Sequence, residues 1–411
     1  MVSSGRIPTV YTIRAMTALT IGRVRPWGDR PADIVIRDGL IVAVRPAGSA
    51  PAEGEWIDGA GSLALPGFVN AHAHVDKSWW GRPWVSYGGE PTTQGRIAHE
   101  RAERDRYGIP DEEATVAVLR EFLRHGTTAT RSHVDVDLGV GLRGLEVVRA
   151  AAARLRGVLQ VELVAFPQDG VIRRPGVLDL LDRAAADGVD HIGGIDPCTI
   201  DFDPIAQLDG LFGIAERHGV GIDIHLHDGG DLGAWQYRLL IDRTRGTGLR
   251  GRVNVSHGFA LGDLDADRSR RMVDELGEAG ISWTTVAPPR TAPLPWRAMQ
   301  DAGVRLGLGT DGIRDLWSPF GDGDLLKVAQ GFARLHGLRR DEDLQHVVEL
   351  ATREAAGFVG RQTHDLVPGA RADVVLLDAE NVPDALVRAP RRELVVAGGR
   401  MVVRDAELLV G

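Results

Sequence analysis

The feature that most constrains this chain is the alternation of short apolar runs with helix-length stretches across its central part. Eight runs of strand length occur, at residues 67–74, 127–136, 159–167, 191–196, 221–227, 252–258, 281–288 and 304–310. Eight strand and helix repeats are typical of the (β/α)8 TIM barrel. A doubly wound open sheet has the same alternation, because periodicity does not report closure. We therefore predict an α/β fold with a (β/α)8 barrel at residues 66–365, with the open sheet as the alternative.

Both ends of the chain have a different pattern, in which short alternating strands are separated by Gly, Pro and Asp. This pattern occurs at residues 32–37, 40–44, 372–378 and 392–399. Each end alone is too short to bury both faces of a sheet. The sequence therefore predicts a small composite β-sandwich domain, built from residues 1–65 and 366–411, beside the barrel.

Composition narrows the classes of function. The 411 residues include 57 acidic and 48 basic side chains, which give a formal net charge of −9. This balance argues against nucleic acid and membrane surfaces as partners. The single cysteine, Cys198, excludes an internal disulfide and sites made of several thiolates. The apolar runs are too short for a signal peptide or a membrane span, so we expect a cytoplasmic protein.

Histidine and aspartate stand at the ends of four runs. In a barrel of this kind the reacting groups sit at the C-terminal ends of the strands. His72 and His74 are two residues apart, so they point to the same face of a strand and are placed to share one metal ion. The other three run ends carry His225, His227, His257 and Asp311. Imidazoles with a carboxylate and no thiolate favour one Zn²⁺ ion, with Fe²⁺ as the next choice, in a catalytic site that leaves room for water.

The remaining histidines fall into two groups. Six lie in predicted loops or helices and are interpreted as solvated, namely His99, His125, His218, His336, His346 and His364. His133 lies inside the second run and His191 begins the fourth, and the sequence gives neither a clear role. In particular, the sequence shows nothing that pairs with His133.

These features together resemble the amidohydrolase superfamily. The resemblance rests on motifs at residues 66–74, 225–227, 256–258, 310–312 and 368–378. Residues 166–168 and 311–321 are similar to the cytosine deaminase branch of that superfamily. Residues 72–77, taken with 225–227, look closer still to the N-isopropylammelide isopropylaminohydrolases, which are s-triazine hydrolases of that branch.

The resemblance implies a single bound metal ion, with the ligands His72, His74, His225 and Asp311. No lysine occurs at the end of run four, so the carbamylated lysine of dinuclear relatives has no counterpart and a mononuclear site is implied. His257 matches a residue that hydrogen-bonds the metal-bound water or the developing oxyanion. Gln168 and Trp317 match pocket residues that hold a heterocyclic substrate.

One position departs from the cytosine deaminases. They carry a proton-shuttling Glu three residues after the strand-five histidine, where this chain has Asp228. His227 has the same strand parity as His225, and the triazine hydrolases have His at that position and Lys at the position of Lys77. We therefore predict that His227 and Lys77 are the acid groups, with Asp228 as the alternative. Lys77 is conspicuous because the chain has only one other lysine, Lys327; a solvated loop cation is the alternative interpretation of Lys77.

The predicted function is that of a mononuclear, metal-dependent hydrolase of carbon–nitrogen bonds other than peptide bonds. A metal-activated hydroxide displaces ammonia or an amine from a small nitrogen heterocycle, with Asp311 as base and His257 beside the incoming oxygen. His227 and Lys77 protonate the ring or the leaving group. An amidase or cyclic-amide hydrolase is the alternative, because such a site activates water without selecting a leaving group. A barrel that binds metal and ligand without turnover is the alternative of another class. Relatives suggest a homo-oligomer.

Overall fold

The computed structural model describes residues 18–410. Its first five strands are β1 (Ala18–Pro26), β2 (Ala32–Arg37), β3 (Leu40–Pro46), β4 (Glu55–Asp58) and β5 (Leu63–Pro66). Strands β1, β2 and β3 pair antiparallel in that order, and β4 runs parallel to β1. The predicted terminal domain also includes residues 1–17 and 411, which lie outside the described residues.

The central part of the chain forms a curled parallel sheet. Its strands are β6 (Phe68–His74), β7 (Thr127–Asp135), β8 (Gln160–Phe166), β9 (His191–Ile195), β10 (Gly221–Leu226), β11 (Val253–His257), β12 (Ser282–Thr285), β13 (Leu306–Leu308) and β14 (Asp311–Gly312). Each of the eight apolar runs contains one of the strands β6 to β13. These eight pair parallel in chain order, as the alternating pattern predicts.

The eighth run and the two residues directly after it reach both edges of this sheet. Leu308 of β13 pairs with β12, whereas Asp311 of β14 pairs with Ala73 of β6. Gly309 lies between them, and a Cβ atom there would overlap the backbone of His72. The Asn70 side chain donates to Thr310 Oγ1 at 2.8 Å across the gap. The predicted α/β class is thus confirmed, with a curled parallel sheet. The ladder of hydrogen bonds is interrupted where the edges of this sheet meet, so the closed barrel stays a prediction.

The C-terminal strands complete a second sheet. They are β15 (Val374–Leu377), β16 (Arg392–Ala397), β17 (Arg400–Arg404) and β18 (Glu407–Leu408). Because β15 pairs with both β5 and β16, strands from both ends of the described chain join one nine-stranded sheet. Its two halves share a buried apolar cluster in which Ile21 and Ile34 lie with Val374 and Leu394. The predicted domain boundaries, 1–65 and 366–411, stay a prediction.

Twelve α-helices are described. They are α1 (Thr93–Glu103), α2 (Glu112–Arg124), α3 (Arg143–Arg154), α4 (Val177–Ala186), α5 (Pro204–His218), α6 (Gly230–Gly246), α7 (Ala260–Asp263), α8 (Ala266–Ala279), α9 (Trp296–Asp301), α10 (Leu325–Leu335), α11 (Asp341–Glu349) and α12 (Val382–Arg388), and a 3₁₀ helix spans Ala355–Val359. Within residues 18–410, no helix has the length and apolar character that crossing a membrane requires.

Strand alternation decides which side chains face the inside of the curled sheet. In β10, Ile222 and Ile224 belong to the same buried apolar cluster as Leu208 and Leu211 of α5. Because successive side chains of a strand point to opposite faces, Asp223 and His225, which alternate with these isoleucines, point to the inner face. The helices thus cover the outer face of the sheet, and polar side chains collect inside it.

Candidate active site

Four side chains from three strands converge at the inner face of the curled sheet. His74 Nε2 lies 3.3 Å from His225 Nε2 and 3.4 Å from Asp311 Oδ1. His72 Nε2 lies 3.7 Å from the same Asp311 oxygen. These four residues come from β6, β10 and β14. They lie at the base of a cavity described below, and we call them the floor. The sequence predicts all four as metal ligands, and the structure brings them together.

The spacing and chemistry of the floor fit a divalent metal ion. Zinc bonds to nitrogen and carboxylate oxygen of about 2.0–2.2 Å in a tetrahedron require ligand atoms roughly 3.3–3.6 Å apart. The observed separations of 3.3, 3.4 and 3.7 Å are close to that range. In addition, His72 Nε2 is buried and has no hydrogen-bond partner among the described residues. A buried nitrogen of this kind is costly unless it has a partner, and a metal ion provides one.

The protonation states of the floor suit metal binding. Burial holds the pKa of His74 and of His225 well below the ordinary value, so both imidazoles are neutral at neutral pH. Burial opposes the charge of Asp311, but the neighbouring imidazoles of His72 and His257 hold its pKa well below the usual range. Neutral imidazole and ionised carboxylate are the forms that bind metals.

His133 belongs to this cluster, and the interpretation that nothing pairs with it is wrong. Its ring centroid lies 4.4 Å from that of His72 and 4.6 Å from that of His225. Its Nε2 lies 3.2 Å from Asp223 Oδ1. Sequence reasoning missed Asp223 as well. The available signal was its position two residues before His225, which puts both side chains on one face of β10.

A buried polar network orients the His72 ring from below. Ser256 Oγ lies 3.0 Å from His72 Nδ1 and donates to Asp223 Oδ1 at 2.7 Å. Arg131 donates to the other Asp223 oxygen at 2.9 Å. Partners of this type fix the orientation of a ligating imidazole and raise its basicity. Ser256 directly precedes His257, and sequence reasoning had no signal for its role.

His227 and His257 stack above the floor. Their ring centroids are 4.6 Å apart, and His227 Nδ1 lies 2.8 Å from Asp196 Oδ2. Burial opposes protonation, but the charge of Asp196 and this hydrogen bond raise the pKa of His227 above its ordinary value. The other ring nitrogen, Nε2, is left for a group in the cavity. Asp196 ends the fourth run, and its place at a strand end was the signal that sequence reasoning passed over.

In contrast to His227, Asp228 bonds to groups outside the cavity. Its Oδ1 accepts from Thr199 Oγ1 at 2.8 Å, and its Oδ2 accepts from the Gln236 amide at 2.9 Å. Asp228 does not line the cavity. Of the two candidates for proton transfer on this strand, only His227 faces the cavity.

Lys77 is a buried cation and not a solvated loop residue. Its Nζ donates to Asp135 Oδ1 at 2.8 Å and to Gln168 Oε1 at 2.9 Å, and lies 3.5 Å from Glu100 Oε1. Burial opposes its charge, but Asp135, Glu100 and Asp76 together raise its pKa above the ordinary value. Lys77 therefore stays charged at neutral pH and orients the Gln168 amide. Its predicted role as an acid group stays a prediction.

The cavity above the floor has a volume of about 350 Å³. Lys77, Gln168 and Trp317 line one side of it, and Glu100 and Asp135 contact Lys77 there. We call these five residues the wall. The Trp317 indole N–H donates to Glu100, which ties the loop after β14 to α1. Both predicted substrate contacts, Gln168 and Trp317, line the cavity. The volume suits a small heterocycle.

A second carboxylate enters the cavity beside the floor. Asp315 Oδ1 accepts from the backbone N–H groups of Trp317 and Ser318, both at 2.8 Å. A Cβ atom at Gly312 would overlap the other Asp315 oxygen, so glycine at this position makes room for the carboxylate. Burial raises the pKa of Asp315 to about 6. Asp315 lines the cavity.

The fold and this site define the class of protein. Residues 110–405 match the model of the Amidohydrolase family, and the chain belongs to that family. It is 30% identical over 363 residues to the N-isopropylammelide isopropyl amidohydrolase of Pseudomonas sp. (strain ADP), across 85% of this chain and 88% of the relative. The predicted resemblance is therefore confirmed.

Two crystal structures show the same fold. N-isopropylammelide isopropylaminohydrolase from Burkholderia multivorans ATCC 17616 has a TM-score of 0.92 at 42% identity, over 96% of this chain and 100% of that chain. The 5-methylcytosine deaminase from Klebsiella pneumoniae liganded with phosphonocytosine has a TM-score of 0.80 at 25% identity, over 96% of this chain and 100% of that chain. The relatives are named as amidohydrolases and deaminases, and this chain is an enzyme of their family.

Proposed function

We propose that this protein is a hydrolase with one divalent metal ion, which displaces ammonia or an amine from an sp² carbon of a small nitrogen heterocycle. We also propose that the curled sheet acts as a (β/α)8 barrel whose eighth strand is divided into β13 and β14. The ligands in this proposal are His72, His74, His225 and Asp311. Zn²⁺ suits these ligands best, with Fe²⁺ as the alternative.

The chain's own residues have distinct tasks. A divalent ion held by the floor supplies Lewis acidity, which makes a water molecule a nucleophile at neutral pH. Asp311, ionised at neutral pH, accepts the proton of the attacking water, and His257 donates a hydrogen bond to the incoming oxygen. His227, oriented by Asp196, protonates the leaving nitrogen from its free Nε2. Lys77 holds Gln168, whose amide positions the heterocycle.

One observation carries this proposal. In the floor, His74 lies 3.3 Å from His225 and 3.4 Å from Asp311, and His72 lies 3.7 Å from Asp311, below a cavity that also presents the His227–Asp196 pair. A site for metal alone does not require a histidine held by a carboxylate above it. The pair is the arrangement expected where a proton is delivered to a leaving group. The likeness to the amine-releasing relatives supports the same reaction.

The experiment is a release screen on protein whose metal content is first measured by elemental analysis. Aminopyrimidines, s-triazines with amino or alkylamino groups, creatinine-like rings and cyclic amides are incubated with the Zn²⁺-loaded and the Fe²⁺-loaded enzyme. We expect ammonia or a free amine without a new carboxylate. A new carboxylate from a cyclic amide shows the amidase alternative instead. Binding of these rings with no product at full metal occupancy shows a non-catalytic barrel and contradicts the proposal.

A further inference from the structure

Arg96 is a cation of the cavity without a counter-ion. It lies on α1, one helical turn before Glu100, and its side chain lines the cavity. Its Nε is buried and has no hydrogen-bond partner within residues 18–410. No carboxylate of the described residues lies within ion-pair distance, 4.0 Å, of its guanidinium group. The structure thus directs an unpaired guanidinium toward the substrate space.

The neighbouring cations contrast with Arg96. Lys77 is neutralised by Asp135 at 2.8 Å, and Arg101, on the same helix but outside the cavity, pairs with Asp169 at 2.7 Å. A partly buried charge without a partner is costly, and proteins keep such groups where a ligand pairs with them. Arg96 is therefore the group in this cavity that an anionic ligand would stabilise.

The geometry of the guanidinium group and the charge of the cavity select the kind of anion. A guanidinium group donates two parallel hydrogen bonds to a carboxylate. Asp315 lines the same cavity and has no ion-pair partner among the described residues, so its charge repels a dianion such as phosphate more strongly than a monoanion. The volume of about 350 Å³ accommodates a single ring with one small substituent.

We propose that Arg96 determines specificity by pairing with a carboxylate substituent of the substrate ring. The substrate is then an anionic amino-heterocycle, whose carboxylate faces α1 while the carbon that loses the amine faces the floor. This inference rests on the proposed function for the identity of the reaction. The recognition of the carboxylate by Arg96 is separable from turnover, because binding of a ring with no amine to lose measures it alone.

The test measures equilibrium binding to the metal-loaded protein by calorimetry. Two matched pairs of rings are used: uracil with uracil-6-carboxylate, and 5-azauracil with its 6-carboxylate, oxonate. In the wild type we expect the carboxylate of at least one pair to bind about tenfold or more tightly than its neutral partner. The preference falls to about twofold or less in Arg96→Gln, returns in part in Arg96→Lys, and is retained in Arg101→Gln, the control on the same helix.

The outcomes separate the two proposals. The absence of a carboxylate preference in both pairs, or its survival in folded Arg96→Gln protein, overturns the inference. Tighter Arg96-dependent binding of inorganic phosphate than of either carboxylate also overturns it. If the release screen finds no ammonia or amine while the Arg96-dependent preference holds, the proposed reaction fails and the assignment of Arg96 stands. A thermal midpoint close to that of the wild type shows that Arg96→Gln is folded.

Discussion

The floor and the wall of the cavity lie side by side but are built in different ways. The floor takes its ligands from strand ends, where pairing of β6 with β14 sets their positions. The wall takes its side chains from the segment after β6, from α1, from the end of β7 and from the loops after β8 and β14. In folds of this kind strand ends supply the reacting groups, and the segments after them shape what the site accepts.

The two regions also balance charge differently. Three imidazoles and one carboxylate in the floor form a set of donors that suits a divalent metal ion. In the wall, Lys77 is already surrounded by Asp135 and Glu100. Changes in the floor are therefore expected to act on chemistry, and changes in the wall on stability and on substrate position. Asp311→Asn and Lys77→Met test this division, and His227→Gln and Asp315→Asn extend the test to cavity side chains beside the floor.

The largest effect is expected for Asp311→Asn. The amide keeps an oxygen for the metal but cannot accept a proton, so we expect most of the metal to stay and kcat to fall by about 10³-fold or more. Elemental analysis and steady-state kinetics measure the two quantities on the same sample. Turnover near the wild-type rate with full metal occupancy would remove Asp311 from the role of base.

The next largest effect is expected for Lys77→Met, and it acts on stability. It leaves Asp135 and Glu100 buried without their cation, which costs about 3–5 kcal/mol of unfolding free energy in urea titrations. Lys327→Met is the matched control, because Lys327 is exposed beside Asp322 and its loss is expected to cost less than about 1 kcal/mol. Lys77→Arg keeps the charge and the fold but should lower turnover, because a guanidinium group does not hold Gln168 in the same position. Equal stability of the two methionine variants would contradict the description of the wall.

His227→Gln is expected to reduce kcat by about a hundredfold while the metal content is unchanged. The reason is that glutamine fills the space beside Asp196 but does not deliver a proton to the leaving nitrogen. Asp228→Asn serves as the control, since both of its oxygens bond outside the cavity, and its kcat is expected to stay within about twofold of the wild type. A larger loss in Asp228→Asn than in His227→Gln would reverse the assignment of the proton donor.

The smallest effect is a pH dependence of stability at Asp315. Its pKa of about 6 in the folded protein lies above the ordinary aspartate value of 3.8, so the folded state binds the proton more tightly than the unfolded state. Wild-type stability therefore decreases as pH rises from about 4 through 6, and Asp315→Asn lacks this loss. The stability of the variant relative to the wild type should rise by about 2 kcal/mol between pH 4 and pH 7.5, measured by urea unfolding. A difference that is constant with pH would show that Asp315 titrates normally.

The sequence predicts the floor far better than the wall, and the reason is geometric. Strand parity and strand ends are local properties, so His72, His74 and Asp311 could be placed from spacing alone, and the resemblance supplied their common role. The environment of Lys77 depends on Glu100, Asp135 and Gln168, which lie far apart in the chain and meet only through tertiary packing.

The residues that were missed share one property. His133, Asp196 and Asp223 all act through a neighbour and not alone. A residue of this kind carries no motif, because its role is defined by which strand lies beside it. Parity placed Asp223 on the face of His225, but only the pairing of β10 with its neighbours shows what it supports. The interrupted ladder at Gly309 is likewise a matter of how the sheet edges meet, which periodicity does not report.

The pairing of Asp311 with Ala73 determines when, during synthesis of the chain, the site can assemble. The two residues lie at opposite ends of the central region, more than two hundred positions apart. During synthesis the first two histidines leave the ribosome long before the carboxylate that completes their set. The set of four ligands proposed for the metal is therefore complete only after nearly all of the curled sheet has emerged. A chain that stops short of β14 would hold three imidazoles without Asp311, so the proposed base is the last of the four to join.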